Sequence, residues 1–113
     1  MDRRVSEFDI EAYFVERVDA LGGEAQKIDV RGRRGRCDRF ASFPIKASPM
    51  PVALFYFVEL KAVNGATKPW QFREHRRLAE RGFVVRVLYS KMDVDAFIRN
   101  VEMRLAVLSN LTP

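Results

Sequence analysis

The chain has 113 residues, of which 48% are hydrophobic and 31% charged, a balance typical of a folded domain rather than a disordered chain. No apolar stretch approaches the roughly 20 residues that cross a bilayer, and the first seven residues lack the apolar core of a signal peptide. A single cysteine excludes an internal disulfide and a thiolate zinc cage. We therefore expect one cytoplasmic domain, in a cell or in an infected host.

Apolar periodicity and turn residues divide the chain into seven predicted elements. Ser6 with Asp9 is positioned to cap the first helix, and glycines follow the first and second helices. Proline-rich residues 44–51 join the second and third strands, and the last eight residues are predicted to be a fraying tail. The predicted elements are a helix over 7–21, strands over 24–30, 37–43 and 52–62, a helix over 67–81, a strand over 83–89 and a helix over 93–105.

The order of these elements, α-β-β-β-α-β-α, predicts an α/β fold with a mixed central sheet flanked by helices. Three consecutive strands joined by short loops form an antiparallel meander. The helix between the third and fourth strands is a crossover, so those two strands should run parallel.

The segment 55–61 is an aromatic and β-branched run that ends in two charged residues, Glu59 and Lys61. Because side chains alternate along a strand, both point to the same face, about 7 Å apart. Asp38, near the start of the neighbouring strand, can supply a second carboxylate, and the main-chain carbonyl of Leu60 a further oxygen, for a hard metal cation. The alternative is an ion pair at the end of a strand for Glu59 and Lys61, and surface salt bridges for Asp38.

Further side chains, from the first two predicted helices, could belong to this site. Glu7 and Glu11 lie on or beside the apolar stripe of the first helix, where an acid needs a polar neighbour. Gln71, in the first turn of the second helix, could reach the end of the third strand. His75 shares a helix face with Gln71, but without a second histidine it is expected to be a packed or exposed helix residue rather than a ligand.

The net charge of +5 and the isoelectric point near 9.8 indicate an anionic partner. Many arginines fall in two clusters, one in the loop before Asp38 and one in the second helix, and guanidinium groups bind phosphate with paired hydrogen bonds. Nucleic acid is the favoured partner, and a merely solubilising basic surface is the alternative. The expected DNA-binding residues are Arg31, Arg33, Arg34, Arg36, Arg73, Arg76 and Arg77.

Four segments, in this order, resemble the PD-(D/E)xK nuclease superfamily and within it the VRR-NUC (virus-type replication-repair nuclease) domains, especially the stand-alone proteins of bacteriophages. The likeness covers about residues 6–92, and it predicts a single nuclease domain over 1–113 with its core at about 6–105. The segments are Ile10 to Gly23, Gly32 to Arg39, Phe57 to Lys61 and Pro69 to Phe83.

The resemblance implies roles for individual residues. Asp38 and Glu59 would bind Mg²⁺ or Mn²⁺, and Lys61 would orient the attacking water and stabilise developing charge. Gln71 would support the site, and a glutamate of the first helix, Glu11 in preference to Glu7, would complete the acidic cluster. The family usually has proline before the motif aspartate, where this chain has a cysteine, which changes backbone rigidity rather than chemistry.

The resulting hypothesis is a homodimeric, metal-dependent endonuclease that acts on branched or structured DNA, as a Holliday junction resolvase does. The alternatives are a nicking or restriction-like nuclease, a DNA-binding module without turnover, and a protein-interaction domain. For the dimer contact we expect the strand 2–3 hairpin and the apolar stripe of the third helix, namely Val94, Phe97, Ile98 and Val101. The alternative for this stripe is packing on its own sheet.

Overall fold

The computed structural model describes residues 6–28, 39–46, 48–61 and 65–111, which form three helices and four strands. Their order is α-β-β-β-α-β-α, which confirms the sequence prediction. The elements are α1 (Glu7–Ala20), β1 (Glu24–Lys27), β2 (Arg39–Pro44), β3 (Ala53–Leu60), α2 (Pro69–Glu80), β4 (Val84–Leu88) and α3 (Lys91–Leu111).

The four strands form one mixed sheet in the order β1-β2-β3-β4. β1 pairs antiparallel with β2, and β2 with β3, whereas β3 and β4 run parallel, as the helical crossover between them requires. In this register Arg39 lies opposite Val58, and Glu59 lies opposite Val87. The start of β2 and the carboxyl ends of β3 and β4 therefore share one edge of the sheet.

The first helix begins at a capping box. The backbone N–H of Asp9 donates to the Ser6 hydroxyl at 3.1 Å, and the backbone N–H of Ser6 donates to the Asp9 carboxylate at 3.2 Å. The Ser6 hydroxyl in turn donates to the Asp9 carboxylate at 2.9 Å, and this bond, together with the one from the backbone N–H of Ser6, lowers the pKa of Asp9. Gly22 and Gly82, after α1 and α2, have φ of 84° and 89°, a left-handed conformation that glycine adopts readily.

The hydrophobic core lies between the sheet and the helix pair α1 and α3. The stripe of α3 is buried within it, so of the two alternatives for this stripe the structure bears out packing on its own sheet. α3 also continues to Leu111, so the prediction of a fraying tail after residue 105 is wrong. The core residues are Ile10, Phe14, Val18, Ala41, Phe43, Tyr56, Val58, Leu60, Leu88, Val94, Phe97, Ile98 and Val101.

The second helix lies on the other face of the sheet, where it contacts β4 and the end of β3. It buries Gln71 and Leu78, which lie two turns apart on the same side of the helix. No helix among the described residues is both long enough and apolar enough to cross a membrane.

Candidate active site

β3 presents two chemically different faces because its side chains alternate. Tyr56, Val58 and Leu60 are buried in the core with α1 and α3. Glu59, and Lys61 directly after the strand, point to the opposite face and contact α2. The predicted carboxylate and ammonium therefore share one face, at the carboxyl end of β3.

Glu59 is a buried carboxylate with three neighbouring donors, and the whole residue is only 5% exposed. Gln71 donates from Nε2 to Oε1 at 3.0 Å, and Lys61 Nζ lies 3.5 Å from the same oxygen. His75 Nε2 lies 3.4 Å from the other oxygen, Oε2. A carboxylate has about four acceptor positions, so roughly one remains for a further ligand.

Gln71 orients this group of side chains from the first turn of α2. Its Oε1 accepts the backbone N–H of Lys68 at 2.8 Å and lies 3.3 Å from Lys61 Nζ. Because two donors occupy the carbonyl oxygen, the amide nitrogen is the atom that faces Glu59. Glu59, Lys61, Gln71 and His75, called the Glu59 cluster below, thus form one connected network.

Lys61 differs from a lysine in an ordinary surface ion pair. Its backbone N–H donates to the carbonyl of Leu88 at 3.0 Å, which extends the pairing of β3 with β4 by one residue. Its side chain is 17% exposed, so the ammonium is held between Glu59 and Gln71 with one side open to water. A charge held in this way is already oriented toward anything that binds beside Glu59.

His75 belongs to the Glu59 cluster, although the sequence favoured a packed or exposed helix residue. Its side chain is 12% exposed, and its ring nitrogen faces Glu59. The i, i+4 spacing from Gln71 identified the shared helix face. Periodicity could not identify the partner, because Glu59 comes from a strand sixteen residues earlier.

Glu11 lies on the other side of the sheet and makes different contacts. Its carboxylate is 2.9 Å from Arg39 Nη2 and 3.5 Å from Lys27 Nζ. Arg39 is 2% exposed and shares the core face of β2, and its Nε has no hydrogen-bond partner among the described residues. The structure therefore joins Glu11 to Arg39, and not to Glu59. Glu7, the alternative acid, is exposed in the first turn of α1.

The predicted second carboxylate, Asp38, lies outside the described residues, as do the loop arginines Arg31, Arg33, Arg34 and Arg36. Within the described ranges no group of three histidine, cysteine, aspartate or glutamate side chains could hold a metal ion. Glu59 contributes one oriented carboxylate with space for a ligand, and oxygen donors suit Mg²⁺ and Mn²⁺. The carboxylate oxygens of Glu59 are ligands of the right chemical type for such an ion. Asp38 is needed to complete the predicted pair of metal-binding carboxylates.

Two known proteins are similar to this chain over most of its length, although no protein-family model matches it. "Putative nuclease p44" of Acyrthosiphon pisum secondary endosymbiont phage 1 is 38% identical over 89 residues, or 79% of this chain and 88% of the relative. A solved structure described as a VRR_NUC domain has a TM-score of 0.68 and 35% identity, and the match covers 82% of this chain and 94% of that one. The chain belongs to the VRR-NUC family of nucleases.

In this VRR-NUC chain the arginines predicted on α2 differ in their availability. Arg73 and Arg76 are both exposed at the surface, whereas Arg77 is half-buried. Arg77 instead makes two hydrogen bonds to Glu74, at 3.1 and 2.7 Å, and this interaction raises the pKa of Arg77 above its ordinary value. An anion would have to compete with Glu74 for Arg77.

Proposed function

We propose that this VRR-NUC chain is a metal-dependent endonuclease that hydrolyses phosphodiester bonds in branched or structured DNA. The observation that carries the proposal is the buried carboxylate of Glu59, held by Gln71 beside the ammonium of Lys61. Burying a carboxylate with three donors is a costly arrangement for a side chain with only a structural role. The proposed catalytic domain spans about residues 6–105 and acts in the cytoplasm of the host cell.

In this proposal Asp38, Glu59 and the carbonyl oxygen of Leu60 hold Mg²⁺ or Mn²⁺. When bound, the ion would neutralise charge on the scissile phosphate and activate the attacking water. The sequence position of Asp38 supports its inclusion: it directly precedes Arg39, whose partner across the sheet is the residue before Glu59. Glu11 is proposed to influence the site indirectly, through its ion pair with Arg39, the residue that follows Asp38.

Lys61 and Gln71 supply the remaining chemistry. The ammonium of Lys61 stabilises negative charge as it develops on the phosphate, and its orientation is set before the substrate binds. Gln71 is a positioning residue, since it contacts Glu59 and Lys61 simultaneously and is itself fixed by the backbone of Lys68. His75 holds the second oxygen of Glu59 on the side away from Lys61.

The DNA backbone is proposed to contact the arginines of residues 31–36 together with Arg73 and Arg76. Replacing Arg73 and Arg76 together with alanine should weaken binding to every DNA. The slope of log affinity against log salt should flatten by about 0.9 for each phosphate that the variant no longer neutralises. Arg77→Ala should change the slope less, because Glu74 already occupies its guanidinium group.

Cleavage assays decide between the endonuclease and the other candidates. Labelled linear, nicked, flapped and four-way DNAs are incubated with the protein, with and without Mg²⁺ or Mn²⁺. Metal-dependent cuts at branch points support the proposal, symmetric cuts in a four-way DNA identify a junction resolvase, and cuts in linear duplex indicate a nicking or restriction-like enzyme. Tight binding to DNA without cleavage under any of these conditions would make the protein a binding module.

Variants of the two proposed metal-binding acids connect the activity to this site. Asp38→Ala and Glu59→Ala should each abolish cleavage but leave DNA binding intact or stronger, because a negative charge that repels phosphate is removed. Melting temperatures show whether Glu59→Ala folds, and Glu59→Gln retains the side-chain volume if it does not. Normal cleavage by Asp38→Ala and Glu59→Gln would disprove the site assignment.

We also propose that the protein acts as a homodimer, because a four-way junction presents two equivalent strands and this chain carries one proposed site. The apolar stripe of α3 is buried, but its outer side exposes Met103 and Val107, which line a groove with Leu54 beside the strand 2–3 hairpin. Sedimentation at micromolar concentration should give twice 13.1 kDa, and Met103→Glu with Val107→Glu should give the monomer. A monomeric wild-type protein, with and without junction DNA, would exclude this assembly.

A further inference from the structure

Four phenylalanine side chains form a continuous group on the sheet face that carries Glu59. Phe55 and Phe57 come from β3, Phe40 from β2, and Phe83 directly precedes β4. The ring centroids of Phe55 and Phe57 are 5.1 Å apart, those of Phe40 and Phe55 5.2 Å, and those of Phe57 and Phe83 5.1 Å. These four side chains are called the phenylalanine cluster below.

The phenylalanine cluster is not part of the hydrophobic core. The core lies on the opposite face, under α1 and α3, and none of the four residues belongs to it. α2, the described helix on this face, contacts β4, and Phe55 and Phe83 remain 38% and 42% exposed. The rings of Phe55 and Phe83 are therefore accessible to a ligand on the sheet face that carries Glu59.

The phenylalanine cluster is continuous with the Glu59 cluster along β3. Phe55, Phe57, Glu59 and Lys61 are alternate residues of one extended segment, so they share a face at intervals of about 7 Å. Phe57 therefore lies one such interval from the carboxylate that is proposed to bind metal, and Phe55 lies two. Aromatic rings beside cationic groups are the combination that binds single-stranded nucleic acid, because bases stack on the rings while the cations contact phosphate.

We propose that the phenylalanine cluster stacks on one or two unpaired bases next to the phosphodiester bond that is cut. This inference rests on the proposed nuclease function and narrows its substrate to DNA with unpaired nucleotides at the cleavage point, such as a flap or an open junction. Bases within an intact duplex already stack on each other, and freeing one costs a few kcal/mol. The phenylalanine cluster therefore favours branched DNA, in which bases at the branch point are already unpaired and unstacked.

The size of the exposed surface argues against a second copy of the chain as the occupant. A phenylalanine side chain buries about 150–250 Å² when covered, so the exposed parts of Phe55 and Phe83 together offer roughly 100–200 Å². A stable protein interface covers about 800 Å² on each partner. One or two stacked bases match the smaller area. Arg76 of α2 lines the same cavity as Phe83, so its guanidinium group is placed to contact a phosphate beside the rings.

The test compares two labelled DNAs of the same duplex length, one blunt and one with a single-stranded flap. Affinities are measured by fluorescence anisotropy in EDTA, so that no cleavage is required. Phe55→Leu with Phe83→Leu removes two rings but keeps the apolar character, and flap affinity should fall about 5- to 100-fold while blunt-duplex affinity stays within about twofold. Phe8→Leu, which removes a 75% exposed ring from α1, should change neither.

An unchanged flap affinity in the double variant, or an equal loss on both DNAs, would overturn the proposal. Sedimentation of the same proteins provides a second test, since a wild-type dimer that the double variant converts to monomer would make the phenylalanine cluster a subunit interface. If the double leucine variant does not fold, the single variant Phe55→Trp tests the proposal by its fluorescence. Its emission should change with flap DNA beyond the response of wild type, whose one tryptophan is Trp70, and no added change would overturn the proposal.

The binding assay also separates this inference from the proposed function. Flap preference that depends on the phenylalanine cluster, in a protein that cuts no DNA, would support the stacking surface and refute the endonuclease. Metal-dependent cleavage by a protein whose flap and blunt affinities are equal would support the endonuclease and refute the stacking surface.

Discussion

Replacing Lys61 with methionine tests whether its ammonium acts in catalysis or only balances the charge of Glu59. Methionine has a similar length and apolar stem, so the variant removes one charge with little change in packing. Lys61 Nζ lies 3.5 Å from Glu59 Oε1 and 3.3 Å from Gln71 Oε1, and the substitution removes both interactions. Glu59 keeps its hydrogen bonds with Gln71 and His75.

The expected effects on stability and on rate differ in size. Removing one partner of a fully buried pair costs about 3–5 kcal/mol, and exposed pairs contribute at most about 1 kcal/mol. Lys61 is 17% exposed and Glu59 retains two donors, so we expect a loss of about 1–2 kcal/mol, or roughly 5–10 °C in melting temperature. A group that stabilises charge formed in the transition state contributes about 10²–10³ in kcat, so the cleavage rate should fall by that factor.

Lys27→Met is the matched control for this experiment. Lys27 Nζ also lies 3.5 Å from a glutamate oxygen, that of Glu11, but its side chain is 73% exposed. It should lose at most about 1 kcal/mol of stability and little cleavage rate. Both rates are measured by single-turnover cleavage at saturating protein, alongside melting temperatures. A Lys61→Met protein that cuts within about tenfold of wild type would refute the catalytic role and leave a structural ion pair.

Two further predictions concern α1. Glu11→Ala leaves the buried guanidinium of Arg39 without its carboxylate. Because the Glu11 side chain is itself 30% exposed, the variant should lose about 1–3 kcal/mol in chemical denaturation, between the values of exposed and fully buried pairs, whereas Glu7→Ala should lose under about 0.5 kcal/mol. Equal losses would contradict the pairing of Glu11 with Arg39. The hydrogen bonds from Ser6 lower the pKa of Asp9, so Asp9 stabilises the fold above its unfolded pKa of about 3.9, and this contribution disappears as pH falls through the lower folded value. Ser6→Ala should therefore reduce the loss of melting temperature between about pH 5 and pH 2.5, and an unchanged acid dependence would contradict this assignment.

The order of elements could be predicted because each has a strong local signal. Helical apolar spacing, a capping box at Ser6 and glycines after two helices define the helices, and runs of aromatic and β-branched residues define β3 and β4. The parallel pairing of β3 with β4 follows from the helix between them. Each of these signals involves residues that are close together in the sequence, so it can be recognised without knowledge of the three-dimensional structure.

Contacts between distant segments could not be predicted in the same way. The pairing of Glu11 with Arg39 depends on where α1 crosses β2, and periodicity places Glu11 only near the edge of the apolar stripe. His75 meets Glu59 because α2 folds back over the sheet. The continuation of α3 past residue 105 is a different case, because it has a local signal: Leu108 follows Val101 and Leu105 at helical spacing, and Leu105 and Leu108 are half-buried. The predicted end at residue 105 overlooked this spacing.

The alternation of β3 explains how one short strand serves both stability and chemistry. Tyr56, Val58 and Leu60 enter the core, so the strand is fixed by apolar contacts that do not involve the reacting groups. The opposite face can then bear a costly buried carboxylate at Glu59, because the core face supplies stability that offsets it. A one-residue slip of β3 against β2 would exchange the faces and place Glu59 in the core, so the same apolar residues that stabilise the sheet also fix the position of the Glu59 cluster.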